Sequence, residues 1–239
     1  MTTRTDGRGT LDLRPLSLTR HSMHYAEGSC LVEMGLTKVI TTASIDSGVP
    51  PWLSGQGKGW ITAEYGMLPR STHTRTRRSS SSAQSGRTME IQRLIGRALR
   101  ATAQLERIGE RTIHIDCDVI SADGGTRVAS IIGASIALYD AGTWLINQGF
   151  ATEHVMIELV SAISIGIIGG TINVDLCYNE DSTADVDMNI VMTESGRLVE
   201  VQGTAERNTF DRNLLNAMLD SAQTAITTIT RIQRETLGL

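Results

Sequence analysis

The stretch from Thr112 to Arg127 constrains the fold more than any other. Ile113, Ile115, Cys117 and Val119 alternate with His114, Asp116 and Asp118, the two-residue period of a strand with one polar face. A tight loop follows, Ser121-Ala122-Asp123-Gly124-Gly125-Thr126-Arg127, and it opens a long apolar helix reaching about Gln148. The two halves of the chain, about 11–145 and 155–235, share a similar plan of strands followed by a helix. Ser29–Met34 and Lys38–Ile45 flank Gly35-Leu36-Thr37 as a hairpin. A glycine-rich loop, Gly55 to Gly59, leads into Trp60-Ile61-Thr62-Ala63-Glu64-Tyr65.

A polar surface loop is expected from Arg70 to Gly86, including the serine run Ser79 to Ser82. The apolar spacing of Ile91, Leu94, Ile95, Ala98, Leu99 and Leu105 predicts a helix from about Thr88 to Leu105, with Arg93, Arg97 and Arg100 on another face. Val155–Gly166 and Thr171–Leu176 read as strands around Gly169-Gly170. Asp187–Thr193 and Leu198–Gln202 form a second hairpin, and a final helix spans about Asp211 to Arg234. Strands followed by a helix in each half predict an α+β fold, not a doubly wound sheet. No linker separates the halves, about 11–145 and 155–235, so a single domain over 1–239 is expected.

Charge separates along the chain. The net charge is −4, yet Arg70 to Arg111 holds ten arginines against Glu90, Glu106 and Glu110. Ala151 to Phe210 holds ten acidic residues against Arg197 and Arg207. This asymmetry points to a polyanion on one surface and cation chemistry on another. The cations are almost all arginine, whose planar fork suits bidentate phosphate contacts, although a compositional bias would give the same ratio. Cys30, Cys117 and Cys177 stand far apart, which argues against a disulfide framework or zinc site and suits a reducing compartment. No apolar run is read as long enough to span a bilayer, and the polar start lacks an apolar leader core. The cytoplasm, with no membrane partner, is the expected location.

Three clusters could carry chemistry. Ser85-Gly86-Arg87-Thr88 precedes the Arg93 helix, where free N–H groups and the helix dipole favour an anion; it could also be a plain helix start. In Asp123-Gly124-Gly125-Thr126-Arg127, the glycines would expose backbone N–H groups while Thr126 and Arg127 grip a tetrahedral anion. A tight turn before a helix would look the same. Five acids between Asp175 and Asp187 repel one another unless a hard cation such as Mg²⁺ neutralises them. Asp185 and Asp187 are expected to share one strand face, with Asp181 in the loop before it; a solvated acidic loop is the competing reading. Arg70, Arg75, Arg77 and Arg78 suit RNA phosphates or a subunit interface.

The segments Gly59 to Arg70, Ser85 to Arg97, Ile115 to Ile120 with Gly124 to Arg127, Glu180-Asp181-Ser182, Asp187-Met188-Asn189 and Val201 to Glu206 resemble the ribonuclease PH family in order along the chain. The family is related to polynucleotide phosphorylase and to exosome ring subunits. The resemblance implies a fold like the second domain of ribosomal protein S5, assembled as a homo-hexameric ring of three dimers. It also implies a phosphate-dependent 3′→5′ exoribonuclease that trims tRNA precursors and other RNAs, releasing nucleoside 5′-diphosphates. It assigns phosphate binding to Arg87, Gly125, Thr126 and Arg127, and catalysis with Mg²⁺ to Asp181 and Asp187. RNA contacts are expected at Arg70, Arg75, Arg77, Arg78, Arg93 and Arg97. Two features depart from the family pattern: the serine run, and Arg207 and Thr209 in place of a glycine and a proline. A non-catalytic RNA-binding ring subunit is the alternative, with a hydrolytic nuclease as a weaker third.

Overall fold

The computed structural model describes residue 4, residues 6–78 and residues 85–239; the serine run Ser79 to Ser82 lies outside them. Alternation places β1 (Leu16–Arg20), β2 (Gly28–Met34), β3 (Thr37–Ser47), β4 (Trp60–Met67) and β5 (Arg111–Ser121) in one sheet of order β1-β2-β3-β5-β4. The predicted hairpin is present, with Met34 opposite Thr37 and Gly35 in the left-handed region. Neighbours run antiparallel except β4 and β5, which are parallel and joined through helix α1 (Gly86–Arg100). The second sheet, β7-β6-β8-β9, is wholly antiparallel. It comprises β6 (Val160–Ile168), β7 (Thr171–Val174), β8 (Val186–Thr193) and β9 (Leu198–Ala205). Largely antiparallel sheets with helices make this an α+β fold, as the element order predicts.

Helix α2 (Thr126–Asn147) is long and apolar enough to cross a membrane by length and composition, contrary to the sequence reading. Its residues are instead mostly buried, because it packs against β2, β3 and β5 on one side and β6 on the other. A helix apolar nearly all round belongs inside the protein. Helix α4 (Arg212–Leu237), capped by Asp211 accepting from the Leu214 N–H at 2.8 Å, covers β6 and touches β1. One cluster of buried side chains runs from Cys30 to Leu237 and draws on both sheets.

Two boundaries differ from expectation for one reason. Helix α1 ends at Arg100, not near Leu105, and β6 starts at Val160, not Val155. Residues 102–104 leave the helix to pair with 155–157: Ile157 N–H donates to Thr102 O at 2.9 Å and Gln104 N–H to Val155 O at 2.8 Å. Backbone groups engaged in this bridge are lost to both helix and sheet. Leu105 instead begins a short 3₁₀ turn, Leu105–Ile108.

Candidate active site

The parts that meet at the site are helix starts and strand ends. Ser85 caps α1 by accepting the Thr88 N–H at 3.2 Å, so α1 starts two residues before the predicted Thr88. Arg87 therefore stands in the first turn, where the backbone presents free N–H groups. Gly124 and Gly125 both adopt positive φ, 72° and 69°, a conformation costly to residues with a Cβ. A Cβ on Gly124 would also sit 2.6 Å from Leu176 O. The Thr37 hydroxyl ties the turn down, donating to Gly124 O at 2.7 Å and accepting the Asp123 N–H at 2.9 Å. Helix α2 starts directly after this turn with Thr126 and Arg127.

Opposite these helix starts lies the acidic wall. The short helix α3 (Tyr178–Asp181) ends in Asp181, and β8 brings Asp187 and Asn189 to one face. Asn189 pairs in register with Ser164 of β6. A cavity of about 440 Å³ lies between the walls. It is lined by Arg87, Gly125, Thr126 and Arg127 on one side and Asp181, Asp187 and Asn189 on the other, with Thr72 to Thr74, Ser164 and Tyr178 completing it. All six residues predicted for phosphate and catalysis thus share one cavity.

The electrostatics follow from this packing. Burial and the neighbouring Asp181 charge raise the Asp187 pKa from 3.8 to about 6, and Arg127 offsets part of that shift. Asp187 Oδ1 is buried with no hydrogen-bond partner. An orphaned carboxylate oxygen beside a second carboxylate fits a hard cation that completes its shell with water and phosphate oxygens. Among the described residues no group of three or more His, Cys, Asp or Glu could hold a metal, so a protein-only cage is absent there. Arg127 is aimed by Gln202, which accepts from its Nη1 at 2.7 Å, with Glu90 3.6 Å away. Among the described residues Arg87 has no carboxylate partner.

Other residues singled out from the sequence stand outside the cavity. Asp185 does not line the cavity. It precedes β8, and its carbonyl instead accepts the N–H groups of Glu206 and Arg207 at 2.9 and 3.2 Å, anchoring the turn where the sequence departs from the family pattern. Arg93 and Arg97 also lie outside the cavity, and Arg97 pairs with Glu200 of β9 at 2.5 Å. Arg70, Arg75, Arg77 and Arg78 are exposed around the rim segment. Arg70 donates to His73 O at 2.7 Å, shaping the turn that sets Thr72 to Thr74 against the cavity. Sequence reasoning gave Tyr65 no role, yet its hydroxyl shares a 2.9 Å hydrogen bond with Thr126 Oγ1. A hydroxyl-bearing ring at an inward position of β4 is the signal that could have found it.

Two cationic helix starts facing a carboxylate pair define a site for an anion beside a cation. Residues 12–143 match the first domain of the 3′ exoribonuclease family and residues 158–225 its second. The chain belongs to this family, that of ribonuclease PH. Among solved structures it is similar to Rrp46 of rice (Oryza sativa), at 19% identity and TM-score 0.80, covering 98% of this chain and 100% of that one. The Archaeoglobus fulgidus exosome with RNA bound to its active site matches at 21% identity and TM-score 0.80, over 98% and 92% of the two chains. An archaeal exosome core matches at 20% identity and TM-score 0.77, over 98% and 91%. The shared fold is the α+β fold resembling ribosomal protein S5 domain 2.

Proposed function

We propose that the chain is a phosphate-dependent 3′→5′ exoribonuclease, acting on the 3′ ends of tRNA precursors and other RNAs and releasing nucleoside 5′-diphosphates. The observation that carries this reading is the convergence of Arg87, Thr126 and Arg127 with Asp181 and Asp187 in one cavity. A hydrolytic nuclease has no need of a dedicated anion pocket, and a pure RNA binder has no need of the acidic pair.

Arg87, Arg127 and the N–H groups after Gly125 would hold inorganic phosphate and aim it at the last phosphodiester. Thr126, braced by Tyr65, would orient one of its oxygens. Phosphoryl transfer asks mainly for positioning and charge stabilisation. Asp181 and Asp187 would hold Mg²⁺, which supplies positive charge where the transition state is most negative. The exposed Arg70–Arg78 segment at the rim is suited to RNA phosphates, which position without reading sequence. The exosome similarities support RNA binding and assembly into a ring; the homo-hexamer, the cytoplasmic location and the reading of 1–239 as one domain belong to the proposal.

The test is a short RNA incubated with Mg²⁺, with and without phosphate. Nucleoside diphosphates appearing only with phosphate are expected, and Arg87→Ala should lower that turnover by about 10²-fold or more with RNA affinity nearly unchanged. Monophosphates would mean hydrolysis, and no product in either condition would favour the non-catalytic ring subunit. Normal turnover of Arg87→Ala at low phosphate would remove Arg87 from the anion site.

A further inference from the structure

Three arginines from the N-terminal segment, Arg4, Arg8 and Arg14, pack behind residues that line the cavity, and the chemistry above uses none of them. Asp175 is fully buried and holds a positive φ of 57°. Its Oδ2 accepts the Arg14 backbone N–H at 2.7 Å, Arg14 Nε at 3.0 Å and Arg8 Nη1 at 3.3 Å. Its Oδ1 accepts Arg14 Nη2 at 2.7 Å. The remaining Arg14 nitrogen, Nη1, donates to Asp123 O at 2.6 Å. One guanidinium therefore joins the first residue of the glycine turn to the segment leading into α3. It also backs the turn, because a Cβ on Gly125 would stand 3.0 Å from Arg14 Nη2.

Arg4 grips the same helix from behind. Its Nε and Nη2 donate to Glu180 at 2.6 and 2.5 Å, and Nη1 donates to Val174 O at 2.6 Å. Glu180 in turn accepts the Cys177 N–H at 2.9 Å, and Tyr178 N–H reaches Asp123 Oδ1 at 3.3 Å. Two of these links, Arg14 Nη1 to Asp123 O and Tyr178 N–H to Asp123 Oδ1, reach the anion turn, and the others hold the segment from Val174 to Glu180 beside Asp181.

We propose that Arg14 is a positioning residue for the anion site, holding the Gly124-Gly125 turn at one spacing from α3. The proposal rests on the phosphate-site reading. A pair serving stability alone would satisfy Asp175 and stop there; this one spends a separate donor on the turn. Lysine, a point charge, cannot span both partners. Small misplacements at such sites cost up to about 10²-fold in rate.

The experiment compares wild type, Arg14→Lys and the charge-balanced double variant Arg14→Met with Asp175→Asn. Two readouts are taken: the shift in melting temperature on titrating inorganic phosphate, and KM for phosphate against kcat in RNA phosphorolysis. Folded variants needing about tenfold more phosphate for the same shift, with KM rising more than kcat falls, would support the proposal. Variants that match wild type in both readouts would overturn it, as would failure of both variants to fold, which would make the network purely structural. A wild-type protein that does not respond to phosphate would instead overturn the phosphate-site reading, and this inference with it.

Discussion

Asp187 is the residue on which the site's electrostatics turn. Its carboxyl is raised to about 6 by burial and by Asp181, so between about pH 4 and 6 the folded chain binds a proton that the unfolded chain has released. Stability contributed at this position is therefore lost as pH rises through that window. Asp187→Asn, neutral throughout, should not lose it. In metal-free protein the stability gap between variant and wild type should widen in the variant's favour from about pH 4 to 6. Denaturant midpoints at several pH values measure this, and a gap independent of pH would show that Asp187 ionises normally. That Arg87, Thr126, Arg127, Asp181 and Asp187 are candidates could be read from short local motifs, and the family resemblance singled out their roles; the structure adds that they line one cavity. The Arg14–Asp175 pair was not, because its partners lie 161 residues apart and neither stands in a recognisable pattern. Asp185 was misplaced because the alternation that puts it on a face with Asp187 begins before the strand does.

Among the elements, α2 decides most. It starts at the anion turn and runs between the two sheets, so its seating fixes where Thr126 and Arg127 point. Gly28 of β2 permits that seating, since a Cβ there would lie 1.9 Å from Ala137 O and 3.0 Å from Ala141 N. Backbone atoms cannot yield as a flexible side chain can. Gly28→Ala should lower stability by about 1–3 kcal/mol, read as a reduced denaturant midpoint. Gly86→Ala, where nothing lies within 4 Å, should stay within about 0.5 kcal/mol. Equal effects would mean that α2 does not rest on β2 this tightly. Most strands and the long helices could be read from apolar period, since β5 and α2 follow their patterns almost to the residue, but β1 and α3 were not read and β4 was not named a strand. The early end of α1 and late start of β6 could not, because the bridge between 102–104 and 155–157 is a pairing between distant segments.

The whole molecule places its cavity on the seam between two halves. The first half contributes Arg87, Thr126 and Arg127, and the second Asp181, Asp187 and Asn189. Charge segregation along the chain hinted at this division only in part: the arginine-rich stretch supplies Arg87 and the acidic stretch Asp181 and Asp187, while Arg127 lies beyond the first. What composition could not show is that the two face each other across a single cavity. Each chain therefore brings all six of these groups to its own cavity. Mixed assemblies of wild-type and Asp187→Asn chains should turn over RNA in proportion to their wild-type share. Arg87→Ala chains combined with Asp187→Asn chains should regain nothing, and recovered activity would reveal a group donated across subunits. The consequence for any assembly of this chain is independence: a defective copy subtracts its own share and leaves the six groups of its neighbours' cavities in place.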